Sequence, residues 1–154
     1  MKQKSIIRFL TIISLAIFFL PFFQTCSDKN INESRFISNS YSKAKTTEEK
    51  NIAFQQTKDN FSLTGYDLAM SFEPLFSGFT FIMILNITLC VCVFRNHYNQ
   101  LFLCFLNLFV IITSFIILIF ALPGFGQIRY GMYLCVINSI LLFYSVYKEQ
   151  ENGI

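Results

Sequence analysis

Four apolar segments, at residues 5–23, 77–94, 101–122 and 130–147, are broken by one long polar stretch between the first two. Each is about the length a helix needs to cross a hydrocarbon core of roughly 30 Å. In lipid the backbone must satisfy its own polar groups, which leaves helices or closed barrels. Continuous apolar runs without alternation choose helices. The expected fold is therefore an all-α integral membrane protein, a four-transmembrane-helix bundle with one long extracytoplasmic loop between helices 1 and 2. Residues 1–23 would be the cytoplasmic N-terminus and first span, 24–76 the outer loop, and 77–154 three spans with a short cytoplasmic tail.

Composition agrees with a lipid environment. Hydrophobic residues make up 54% of the chain and charged residues 14%, well below the roughly one quarter usual for soluble domains. The formal net charge of +3 is scattered. No basic stripe with interleaved aromatics exists to follow a phosphate backbone, so nucleic acid is not an expected partner. Lys2, Lys4 and Arg8 flank the start of the first apolar run, and basic flanks remain in the cytoplasm. The N-terminus and C-terminus are then cytoplasmic and residues 24–76 periplasmic; Arg129 falls on the unfavoured side, and the six basic residues of 24–76 are offset by seven acidic ones. The Lys-, Asn-, Ile- and Phe-rich composition points to a bacterial inner membrane.

The basic start, the apolar run and the stretch Phe23-Gln24-Thr25-Cys26-Ser27-Asp28 resemble a bacterial lipoprotein signal. That resemblance implies cleavage, lipidation of Cys26, and three remaining spans. Thr25 and Phe23 are bulkier than the residues such signals carry at those places, and the apolar run is long for a signal. The reading preferred here is an uncleaved first helix ending near Pro21, where proline is tolerated in a last turn.

Nothing points to a metal or another cofactor. His97 is the one histidine, and no Cys/His cluster accompanies it. Cys90 and Cys92 are two residues apart, a spacing that does not face a shared partner on a helix. No nucleophile with a base, and no pair of placed carboxylates, stands out in the outer loop, so a non-catalytic role is expected.

In that loop, Thr46 with Glu49 has the spacing of a capping box, opening a short helix through about Lys58. The stretch from Phe61 to Met70 is the most distinctive outside the spans. Gly65 would supply a turn. Leu68, Met70 and Phe72 would offer apolar contact to a membrane or envelope protein, while Tyr66, Asp67 and Glu73 fix register. Tyr66 has the amphipathic character favoured at the headgroup level.

Each later span carries one asparagine near its middle: Asn86, Asn107 and Asn138. An amide at that depth must find a partner, so all three should face the bundle interior. No Asp, Glu, Lys, Arg or His lies within 77–94, 101–122 or 130–147, which disfavours proton pumping and voltage sensing. Two functions follow. The first is a non-catalytic membrane interaction protein, an accessory, assembly or immunity subunit acting through the outer loop and helix faces. The alternative is an oligomeric small-solute channel or transporter with a path lined by the mid-membrane asparagines.

Overall fold

The computed structural model describes residues 2–25, 59–71, 76–95, 99–121 and 127–151, together with Glu48, Ile52, Phe54 and Gln55. Cys26, Phe72, Glu73 and His97 lie outside the described residues, as do the Thr46–Glu49 cap and most of the helix expected after it.

The first helix, α1, spans Lys2–Ile17. The helix expected to end near Pro21 closes at Ile17, a turn earlier, and the reason is local. Pro21 lacks a backbone donor, and its ring disfavours helical geometry at the residue before it. Phe18, Phe19 and Leu20 donate to carbonyls three residues back, a tightened last turn typical of helix ends. At 16 residues and 1.5 Å of rise each, α1 is about 24 Å long, short of a full crossing. Three helices are long and apolar enough to span a membrane: α3 (Ser77–Phe94), α4 (Gln100–Ala121) and α5 (Tyr130–Glu151). The expectation of four spanning helices is corrected to three among the described residues.

The expectation of an all-α fold is corrected as well. Beyond Leu20 the chain forms β1 (Pro21–Gln24), which pairs antiparallel with β2 (Ser62–Thr64) on one side and β3 (Gln127–Ile128) on the other. Phe23 lies opposite both Leu63 and Ile128. Pro21 begins its strand, the place where a missing donor does least harm. The ladder continues beyond the strands, with Thr25 N–H donating to Phe61 O at 3.0 Å and Arg129 N–H to Phe22 O at 2.9 Å.

β2 runs directly into α2 (Gly65–Met70). Thr64 caps this helix: its hydroxyl accepts from Asp67 N–H at 3.1 Å, while Asp67 accepts from Thr64 N–H at 2.9 Å. That reciprocal pairing is a capping box. Gly65 and Tyr66 N–H donate to Leu20 O and Phe18 O at the end of α1. The spare donors that open one helix therefore meet the spare acceptors that close another.

The helices form a closed ring, with α1 against α3, α3 against α4, α4 against α5, and α5 against α1. Buried positions recur at alternating spacings of three and four: 79, 82, 86, 89 and 93 on α3, and 104, 107, 111, 114 and 118 on α4. That is the seam of left-handed bundle packing, common in soluble coiled coils and membrane bundles alike. The opposite faces are apolar too, with Phe81, Phe102, Phe105, Phe109 and Phe120 exposed. A soluble monomer does not present so much contiguous apolar surface. The chain is an integral membrane protein of several helices.

Candidate functional site

Inside the ring, two apolar clusters are separated by a polar layer. The cluster beside the β-strands includes Ile17, Phe22, Phe79, Ile82, Ile111, Met132 and Cys135. The opposite one holds Ile7, Leu89, Val93, Cys104, Leu142 and Val146. Every helix changes to a polar residue between its contributions to the two. Thr11 and Ser14 do so on α1, Asn86 on α3, Asn107 on α4, and Asn138 with Ser139 on α5; all are buried. The three asparagines are 1%, 1% and 6% exposed.

The layer divides into two contacts. Across α1 and α5, Asn138 Nδ2 donates to Ser14 Oγ at 2.6 Å and to Leu10 O at 3.2 Å. Both hydrogens of that amide are used. Thr11 Oγ1 donates to Ile7 O within its own helix. Across α3 and α4, Asn107 Nδ2 donates to Asn86 Oδ1 at 2.9 Å. Here the remaining halves, Asn86 Nδ2 and Asn107 Oδ1, have no partner among the described residues.

Magnitudes decide what this second contact is. An interhelical hydrogen bond in a membrane protein contributes on average about 0.6 kcal/mol. Each buried polar group left unsatisfied costs about 1–3 kcal/mol. One bond with two orphans is therefore poor glue on its own. What it offers is a spare donor on one amide and a spare acceptor on the other, both uncharged, between the two apolar clusters of the bundle. Thr11 and Ser14 are the members of the layer that sequence reasoning missed. Their spacing of three on an apolar helix was the available signal.

Near the strand end of the bundle, Gly78 on α3 faces Ser114 on α4, whose hydroxyl fills the place a Cβ would take. Small residues at such contacts let membrane helices approach closely. The strands and α2 seal this end. Phe22 and Gln24 are fully buried, and the Arg129 guanidinium donates to Gln24 Oε1. That contact holds Arg129 in the cap, whatever side its charge would favour.

The residues expected to bind a partner are distributed unevenly. Leu68 is fully buried in the apolar cluster, and Asp67 is engaged in the helix cap. Tyr66 and Met70 are exposed at 44% and 43%, and the Tyr66 ring stacks on exposed Phe19 with centroids 6.3 Å apart. Phe19 was not anticipated as part of this surface.

Comparison with protein-family models, with curated proteins and with solved structures gives no match for this chain.

Proposed function

We propose that the protein is a small-solute channel or transporter, working as an oligomer, in which each protomer passes a neutral polar molecule through the interior of its own helix ring. One observation carries this reading: the unpartnered Asn86 Nδ2 and Asn107 Oδ1, on two amides joined by a hydrogen bond in the buried polar layer. A molecule with both a donor and an acceptor would satisfy both and offset the cost of leaving them bare. Because the amides face inward, the path runs within each protomer and not along an axis between copies. In this reading, amides in contact and a strand cap over one end make a closed conformation.

Selection would favour uncharged solutes. No Asp, Glu, Lys, Arg or His lies in 77–94, 100–121 or 130–147 to replace an ion's hydration, and ion-coupled transport relies on such groups. The role is non-catalytic in this reading. In this reading α1, extended by β1, completes a fourth crossing within the ring, and the basic residues at its start then favour both termini in the cytoplasm and the strand cap in the periplasm of a bacterial inner membrane. An impermeant thiol reagent tests this orientation on a cysteine-free S62C variant: labelling of intact cells agrees, and labelling only of inverted membranes rejects it.

The function is tested in proteoliposomes by stopped-flow light scattering with urea, glycerol and a potassium salt. Faster permeation of a neutral solute than through empty vesicles, abolished by Asn107→Leu, is expected. Rates equal to those of empty vesicles for every solute would reject it.

A second reading, a membrane interaction protein, is favoured by the exposed Phe19–Tyr66 stack and neighbouring Met70. Replacing Tyr66 and Met70 with Ser should release a copurifying partner while membrane insertion is retained. Unchanged copurification would remove this surface from consideration.

A further inference from the structure

At the end of the bundle away from the strands, a cleft is lined by Lys4, Ile7, Arg8, Val93, Gln100 and Glu149. It brings α1, α3, α4 and α5 together, at the level where the apolar exterior gives way to charge. Lys4 and Arg8 sit one turn apart on α1, so their side chains share a face. The Arg8 guanidinium lies over the Phe94 ring, 5.6 Å from its centroid. A ring face engages the cation but accepts no bond from the guanidinium edge. Among the described residues, no carboxylate or other hydrogen-bond acceptor meets that edge.

The other polar groups are loosely engaged. Lys4 Nζ is 3.8 Å from Glu149 Oε1, a long contact on an exposed lysine, of a kind that adds little in water. Gln100 Nε2 reaches Cys92 O at 3.4 Å. The lining thus holds two cations and one carboxylate, a net charge of +1. A phosphodiester carries one negative charge, and a guanidinium edge is suited to its paired oxygens. Phe94 and Phe102 are exposed on the bundle exterior, providing apolar surface for acyl chains.

The geometry points to this cleft as a binding site for a phospholipid with a singly anionic headgroup. The phosphate would accept from Arg8 and Lys4, and Glu149, freed from Lys4, would sit at the edge of the site and oppose the charge. Basic clefts between membrane helices commonly receive anionic headgroups in this way. Removing Glu149 should then tighten binding, and removing Arg8 should weaken it.

The test uses the full chain in a mild nonionic detergent, with heat unfolding followed by a thiol-reactive dye reaching buried Cys104 and Cys135. Phosphatidylglycerol is compared with phosphatidylcholine of the same acyl chains and with sodium phosphate. Phosphatidylglycerol alone should raise the midpoint. Arg8→Gln should weaken its apparent affinity roughly tenfold, the worth of one charge-assisted contact. Glu149→Gln should strengthen it, and Lys148→Gln, outside the cleft, should leave it unchanged. If Arg8→Gln fails to fold, Lys4→Gln is read in its place. An equal shift with phosphatidylcholine would overturn the requirement for charge. An equal shift with sodium phosphate would overturn the lipid in favour of free phosphate, and full affinity in Arg8→Gln would overturn the site.

Discussion

Asn107 donates its side-chain amide to Asn86 across the α3–α4 contact at 2.9 Å, yet half of each amide remains unpaired. A pair built only to join helices would lose little by being replaced with leucines, whereas a solute site would lose its purpose.

The two asparagines should therefore behave non-additively. Asn107→Leu alone leaves the Asn86 amide wholly without a partner and should destabilise by about 1–3 kcal/mol. The double change to Leu removes every orphan and should return stability to within about 1 kcal/mol of the parent, or above it. Solute flux should be lost in both. Thermal unfolding in detergent, paired with vesicle permeation, checks this. A double variant as unstable as the two single changes added together would contradict the account of the orphans.

Asn138 has the opposite character, since its amide hydrogens are both engaged by α1. Asn138→Ala should loosen α1 by about 1–2 kcal/mol and raise amide exchange around residues 10–14. Flux should fall only as far as the fold is weakened. Unaltered exchange in α1 would show that the tether carries no load.

Gly131 packs where no side chain fits. A Cβ there would lie 2.6 Å from Pro21 O and 2.8 Å from the Phe22 ring. Gly131→Ala should force β1 away from α5 and cost about 1–3 kcal/mol, the usual penalty of overpacking. Limited proteolysis should then cut near β1 before the long helices are touched. A variant as resistant as the parent would mean that the cap yields without strain.

The Thr64 cap can be separated from the rest of the seal. Thr64→Ala removes the hydroxyl that accepts from Asp67 N–H and should cost about 0.5–2 kcal/mol. Thr64→Ser should keep most of that stability. Hydrogen exchange of α2 reads the difference, and equal exchange in the two variants would assign the stability of α2 to Leu68 burial instead.

The long helices were legible in the sequence because their apolar runs have little else to form in lipid; the span expected at 77–94 coincides with α3. The depth of the asparagines was legible for a related reason. On helices that are apolar all round, the buried seam is invisible to hydropathy, and an amide is one of the few residues that must point inward. The end of α1 near Pro21 was legible from that proline; the tightened turn at 18–20 that closes the helix at Ile17 was not. The sheet had no local signal. Its strands are two to four residues long and pair only because the ring brings their ends together. The Thr64–Asp67 cap had its full spacing in the sequence, but Asp at the third helical position is a less distinctive signal than the Thr46–Glu49 pair, since the capping-box pattern names Glu or Gln there. Leu68 illustrates the limit most clearly: beside exposed Tyr66 and Met70, its burial depends on a cluster assembled from distant segments.

The sheet also sets a timetable for biosynthesis. Its central strand carries Gln24, and the arginine that grips that side chain lies 105 residues further along the chain. At a synthesis rate of about 5–20 residues per second, that separation is roughly 5–20 seconds. Throughout that interval β1 has one edge without its final neighbour, and such edges pair readily with strands from other chains. α1, which precedes the long helices in the chain, is thus among the last elements to be locked. Early pairing of β1 with β2, long before β3 exists, leaves the nascent protein one open edge instead of two.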